Sequence, residues 1–327
     1  MYIFWYLIDF HCLKGNTNIL TKGIVIKSTG SWYLVRTEND SFINCKIRGS
    51  YRIKGIRATN PVAVGDRVEI SEIGAENVAV IEKIEERTNY MIRRASNLSK
   101  EYQLIASNID QAWLIVSLVS PKTFLEFIDR FLVTAQAYRI PASIVFNKTD
   151  LYSPLLMQEM DSLISLYQGI GYSCFSVSAK MDVNTEQLIA ALKGKTTLLS
   201  GNSGVGKSTL INKFQPNLKL RTGEISEFHK TGKHTTTFAE MVEINDDTFI
   251  VDTPGIKGFG VVDFAKEEIF HFFPEIFEIS KNCQFNNCIH IHEPGCAVKK
   301  AVEIQGVAVS RYASYLSLMD IEDGRYR

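Results

Sequence analysis

Five short stretches carry residues whose types and spacing suit nucleotide chemistry. Gly201–Thr209 reads GNSGVGKST, a complete phosphate loop. Gly201, Gly204 and Gly206 let backbone N–H groups crowd around phosphate oxygens, where a side chain would interfere. Asn202, Ser203, Val205 and Thr209 complete the cradle, Lys207 reaches the β- and γ-phosphates, and the Ser208 hydroxyl takes a place on Mg²⁺. Asp252–Gly255 reads DTPG at the end of an apolar run, where Asp252 can hold Mg²⁺ through water and the Gly255 N–H can sense the γ-phosphate. Between them lies GKHTTT, in which one threonine completes the Mg²⁺ shell only when γ-phosphate is present. Thr236 is favoured and Thr235 is close behind; spacing does not choose among the three.

A fourth stretch, FNKTDL at Phe146–Leu151, has the form of a guanine-reading loop. The Asp150 carboxylate can accept both guanine donors, N1–H and the exocyclic amine, while Asn147 braces the loop and the Lys148 stem lies over the ring. SAK at Ser178–Lys180 would offer the Ala179 backbone N–H to the guanine O6. Such hydrogen bonds make GTP strongly preferred over ATP, because the wrong base leaves buried polar groups unpaired. The base reader precedes the phosphate loop here, the reverse of the ordinary order. One sheet can be cut in a loop and rejoined elsewhere without changing its site, so the chain reads as a circularly permuted GTPase that leaves the sheet just after DTPG.

Downstream, CQFNNCIHIHEPGC places Cys283, Cys288, His290 and Cys296 at the spacing of a structural zinc site, three thiolates and one imidazole. His292 competes with His290 for the fourth position, and His290 is preferred. In a small aromatic-rich segment, metal binding supplies folding free energy directly.

These residues need elements to position them. From about Thr21 to Glu86, five short alternating stretches broken by Gly, Asn and Asp turns predict an all-β, OB-like barrel over 21–86. Residues 41–60 carry Lys46, Arg48, Arg52, Lys54 and Arg57, no acidic residue, and Tyr51 among them, which suits phosphate contact with occasional base stacking. A polar, basic connector is expected over 87–108. From Ile109, buried strands alternate with amphipathic helices, predicting an α/β GTPase sheet over 109–262. Its first helix should carry Phe124, Phe127, Ile128, Phe131 and Ala135 on one face. Residues 263–327 read as a small helical zinc-binding domain, and 1–20 as an extension, expected to be disordered.

At 327 residues the chain is long enough for two or three domains. Lys plus Arg equals Asp plus Glu at 36 each, so no global field draws it to nucleic acid and any such binding must use local patches. Three of six cysteines are dispersed and three cluster beside histidines, which argues against a disulfide framework and for a reducing compartment. The apolar start MYIFWYLIDF lacks the basic flank and cleavage site of a signal peptide, so a cytoplasmic location without membrane insertion is expected.

In order along the chain, the barrel, ASNIDQ, FIDRFLV, NKTDL, SAK, GNSGVGKSTLIN, KHTTT, DTPGIKGFG and the Cys/His cluster closely resemble the ribosome small-subunit-dependent GTPase A family, also called RsgA or YjeQ. The resemblance covers nearly everything from about residue 20 onward. It implies a GTP hydrolase that binds the small (30S) ribosomal subunit late in assembly, contacts its 16S rRNA with barrel and zinc domain, and turns over faster when bound; a monomer is expected. It thereby gives the basic barrel face an RNA partner. Two other readings differ in class: a permuted GTPase of the large subunit, and an RNA-binding module in which GTP is only a structural ligand. Lys207 and the Gly255 N–H are the expected catalytic groups on the phosphate side. The residue after the DTPG glycine is Ile256, which cannot orient water. His234, or a group supplied by the ribosome, must do so.

Overall fold

The computed structural model describes residues 20–47, 60–73, 78–94, 102–215, 239–245, 247–253 and 264–320. His234, Thr235, Thr236, Gly255 and Ile256 lie outside these, as do Arg48, Tyr51, Arg52, Lys54, Arg57 and residues 1–19.

The N-terminal strands are β1 (Leu20–Ser28), β2 (Tyr33–Thr37), β3 (Phe42–Ile47), β4 (Arg67–Ile73) and β5 (Val78–Ile84). They pair in the order β1-β2-β3-β5-β4, and β4 returns to β1, so the sheet closes on itself. Only the β3–β5 pair is parallel. This is the five-stranded barrel that the alternation required: Val25, Tyr33, Val35, Cys45, Val68, Ile70, Ala79 and Ile81 point inward and form its core.

Residues 87–108 correct an expectation. The stretch read as a connector contains β6 (Tyr90–Arg94) and β7 (Tyr102–Ser107), an antiparallel pair. Met91, Ile92, Leu104, Ile105 and Ala106 are buried in the largest core cluster, and the arginines and asparagines between them hid that pattern. The barrel is pinned to this sheet by the buried Asp66. Its carboxylate accepts from Arg87 Nε and Nη2 (both 2.6 Å) and from Ser107 Oγ (2.6 Å).

The α/β part of the barrel's sheet contains β8 (Gln111–Val116), β9 (Ala142–Phe146), β10 (Ser173–Ser176), β11 (Thr196–Ser200), β12 (Glu240–Asn245) and β13 (Thr248–Asp252). Its order is β10-β9-β8-β11-β13-β12, parallel except for β12. The strand leading into GNSGVGKST is thus central, although three strands precede it in sequence, as permutation demands. β8 is buried along its whole length, which explains its unbroken apolar run. β12 also pairs with barrel strand β1 at Lys27 and Glu240, and Arg36 of the barrel reaches Glu243 at 3.0 Å.

Helices α1 (Leu125–Ala137), α2 (Pro154–Ile170), α3 (Thr185–Leu192) and α4 (Lys207–Phe214) accompany this sheet. On α1, Ile128, Phe131 and Ala135 are buried as predicted, but Phe124 is the residue before the helix and is exposed. Its extended backbone turns its side chain off the helical stripe. A 3₁₀ turn at Lys266–Phe272 leads into α5 (Pro274–Ser280), α6 (Ala297–Glu303) and α7 (Val309–Met319). Their core of Phe273, Ile276, Val298, Val307 and Tyr315 includes Cys288 and Cys296, and reaches Val133 of α1.

Candidate nucleotide site and metal cluster

The β11 strand ends at Ser200 and α4 begins at Lys207, so GNSGVG forms the turn between them and the α4 N-terminus faces the loop. Gly201 and Gly206 have φ of +146° and +100°. A Cβ on Gly201 would lie 2.4 Å from the Ile115 carbonyl oxygen, and one on Gly206 would lie 2.3 Å from Asn147 Nδ2. Only glycine fits either place. Lys207 Nζ donates to the carbonyls of Gly201 (2.6 Å) and Asn202 (3.1 Å). Burial lowers its pKa, and the nearby Asp252 carboxylate opposes that. Asp252 ends β13 beside Leu199, and the Thr253 hydroxyl donates to the Leu199 carbonyl (2.9 Å).

The base-reading segments converge on the same end of the sheet. Asn147 is buried and joins three loops: its Nδ2 donates to the Val205 carbonyl (2.8 Å), and its Oδ1 accepts from the Ala179 N–H (3.0 Å). The Ala179 N–H, expected on guanine O6, is thus engaged by Asn147 here. Asp150 is exposed, and its Oδ1 accepts from the buried Ser178 hydroxyl (2.5 Å), which itself accepts from the Met181 N–H. Lys148 has a left-handed φ of 65°, and its Nζ donates to the Ser120 carbonyl (2.5 Å). Lys180 is exposed, while Val205 is buried in the core beneath the loop. Sequence reasoning missed Tyr152. Its hydroxyl donates to the Asn147 carbonyl (2.9 Å) and accepts from the Leu118 N–H (2.9 Å), fixing the loop to the end of β8. Its place just after NKTDL was the available signal.

The Cys/His expectation is met in space. Donor atoms of Cys283, Cys288, His290 and Cys296 all lie within 4.8 Å of one another. His290 Nδ1 is 3.6, 3.3 and 3.5 Å from the three sulfurs, and Cys283 Sγ is 4.0 Å from Cys296 Sγ. Those separations match the edges of a tetrahedron whose centre is about 2.0–2.3 Å from each ligand. Burial pushes the Cys288 thiol up to about 12, so a cation at the centre would relieve a set that disfavours charge. His292 is exposed and is not part of the group.

A further residue organises this loop. Glu293 Oε1 accepts from the Ile289 N–H (2.8 Å), and its Oε2 accepts from those of Ile291 (3.0 Å) and His292 (3.1 Å). Burial alone would raise its pKa, but the backbone donors outweigh it and hold the carboxyl at about 2. All five described cysteines are free thiols, and no helix among the described residues is long and apolar enough to cross a membrane.

The central phosphate-loop strand, the base reader that precedes it and the closed barrel in front define a circularly permuted GTPase with an N-terminal OB-like domain. Two family models match the chain: the RsgA N-terminal domain over residues 22–81 and the RsgA GTPase over 84–262. The small ribosomal subunit biogenesis GTPase RsgA of Phocaeicola vulgatus is 56% identical, over 94% of this chain and 99% of its own. RsgA 2 of Bacteroides thetaiotaomicron is 55% identical over the same shares. Of solved structures, YjeQ from Thermotoga maritima matches with a TM-score of 0.73 at 33% identity, covering 94% of this chain and 100% of that one. YloQ, described as a circularly permuted GTPase, matches with a TM-score of 0.69 at 28% identity, covering 95% and 99%. The chain belongs to the RsgA GTPase family.

Proposed function

We infer that this GTPase acts in the biogenesis of the small ribosomal subunit, binding that subunit late in assembly and hydrolysing GTP faster when bound. The observation that carries the nucleotide reading is the Asn147 side chain, which locks the base-reading loop to the phosphate loop and to SAK in one rigid unit. The relatives named above carry the subunit.

In this reading Asp150 accepts from the guanine N1–H and amine, Lys148 covers the ring, and the Ala179 N–H is shared between Asn147 Oδ1 and the guanine O6. Gly201–Thr209 holds the phosphates with Lys207. Ser208 and Thr236, with Asp252 through water, would hold Mg²⁺, which when bound would neutralise charge building on the phosphates. The Gly255 N–H senses the γ-phosphate, and His234 positions water. The Cys₃His cluster takes one structural Zn²⁺, for which its thiolate-rich donor set is suited. The protein acts as a monomer in the cytoplasm, with 16S rRNA contacted by barrel and metal-binding domain.

The test is GTP hydrolysis by the purified protein alone, with small subunits, and with large subunits. Stimulation by small subunits only is expected. Equal stimulation by large subunits, or none by small ones, overturns the partner, and absence of turnover in every arm overturns the enzyme.

A further inference from the structure

The outer face of the β2–β3 pair carries, with the turn before β2, two large aromatic side chains that the core does not use. Trp32 closes the turn before β2 and is 42% exposed; Phe42 opens β3 and is 60% exposed. Strand alternation places Phe42, Asn44 and Lys46 on the solvent side while Cys45 faces the core, and Lys46 Nζ lies 4.1 Å from the Trp32 ring centroid. The strip runs from Trp32 and Lys46 at one end to Phe42 at the other, four residues or about 13 Å along β3.

Three features indicate what fits it. The Trp32 carbonyl accepts from both the N–H (2.9 Å) and the hydroxyl (3.1 Å) of Thr29, so its backbone is held before any partner arrives. A lysine against an indole face places a phosphate-binding charge beside a stacking surface. The sequence continuing from β3, residues 48–59, holds Arg48, Arg52, Lys54 and Arg57 with no acidic residue. In OB-type barrels the β2–β3 face and the β1–β2 loop are where oligonucleotides lie. Paired bases hide their faces in the duplex, so aromatic side chains stack only on bases that are unpaired.

We propose that Trp32 and Phe42 form a stacking platform for unpaired RNA bases, with Lys46 holding the adjoining phosphate. The barrel then selects a single-stranded element of its RNA partner and not a duplex. This rests on the RNA-partner reading above.

The test uses the full-length protein with a labelled 12-nucleotide oligouridine, a fully paired RNA duplex of equal charge, and purified small subunits. Tryptophan emission is followed in a Trp5→Phe background, which leaves Trp32 as the exposed indole beside the buried Trp113. Wild type should bind the single strand with quenching of Trp32 and should bind the duplex more weakly. Trp32→Ala and Phe42→Ala should each weaken single-strand binding by about tenfold or more without changing the salt slope, whereas Lys46→Ala should flatten that slope by about one. Circular dichroism checks that the variants are folded. Should small subunits bind while Trp32→Ala holds oligouridine as wild type does, the platform is wrong and the subunit partner stands. If Trp32→Ala weakens subunit binding although no single-stranded RNA binds wild type, the face belongs to a protein partner and the platform is again wrong. Failure to bind subunits or either RNA overturns both readings.

Discussion

The Arg311 guanidinium lies 2.7 Å from the Asp129 carboxylate with both side chains fully buried, although 182 residues separate them. Asp129 also accepts from the Tyr167 hydroxyl (2.9 Å) and the Ser314 hydroxyl (2.6 Å), and Arg311 donates to Glu275 (2.6 Å). The network joins α1 and α2 of the nucleotide domain to α5 and α7 of the metal-binding region. The network therefore couples the C-terminal helices to the helices that follow the β8 loop and the guanine loop.

Removing one partner from a buried ion pair strands the other. Asp129→Ala is therefore expected to destabilise the protein by about 3–5 kcal/mol, whereas the joint replacement Asp129→Leu, Arg311→Met and Glu275→Gln, which leaves no charge stranded, costs much less. Denaturant unfolding of the three proteins measures this. A loss within about 1 kcal/mol, the range of an exposed pair, would mean that the contact is solvated in solution.

Asp150→Asn tests the base reader. Its amide cannot accept both guanine donors, so GTP affinity should fall by about 3 kcal/mol or more, while XTP, which presents a carbonyl where guanine has its amine, should gain relative to GTP. Ser178→Ala removes only the hydroxyl that holds Asp150 and should cost about 1 kcal/mol. Binding isotherms for GTP, XTP and ATP decide. Unchanged GTP affinity in Asp150→Asn would take NKTD out of the site.

How far the sequence could be read follows from how local each feature is. The phosphate loop and the Cys/His cluster are short runs in which adjacent residues share one ligand, so their spacing carries the geometry. The barrel strands announced themselves because Val, Ile and Tyr alternate with polar residues toward one core. β6 and β7 did not, since Arg and Asn interrupt Met91, Ile92 and Leu104, and their burial depends on a core built by distant strands. Asp129 and Arg311 were illegible for the same reason, as each is an ordinary charged helix residue until the fold brings them together. Glu293 was illegible too, because a carboxylate that accepts backbone N–H groups leaves no pattern in spacing.

Glu293→Gln should loosen the metal loop, because an amide oxygen is a weaker acceptor for the N–H groups flanking Cys288 and His290. Metal affinity is expected to fall by about 10–100-fold, while Cys288→Ala should release the metal outright; nucleotide binding should survive both, since the ligands lie outside the sheet. The sign with pH follows from a carboxyl held at about 2 against an ordinary 4.5. Its contribution is fully present above about pH 4.5 and is lost as pH falls toward 2, so the stability gap between wild type and Glu293→Gln should close over that window. Metal analysis and acid unfolding of the pair check both statements. A wild-type protein purified without chelator, folded and free of metal, would sink the metal assignment.

Catalysis should be incomplete without the ribosomal partner. Ile256 occupies the position after the DTPG glycine, where a water-orienting side chain would be expected. GTPases lacking such help turn over on the order of 10⁻⁴ to 10⁻² per second, and a partner raises this by roughly 10³ to 10⁵. The two segments expected to bear on water adjoin β12 and β13 in sequence: His234 precedes β12, and DTPG begins at the end of β13. The barrel pairs with β12 and the C-terminal helices follow DTPG in sequence, so a partner docking on either side would bear on the strands next to both segments. His234→Ala should then lower the subunit-stimulated rate by about 10²-fold or more while changing GTP affinity little, because it would act on the attacking water and not on the bound nucleotide. Stimulated single-turnover hydrolysis and equilibrium GTP binding, measured on the same preparation, separate the two effects. A variant that keeps the full stimulated rate would move water positioning from His234 to a group that the subunit supplies.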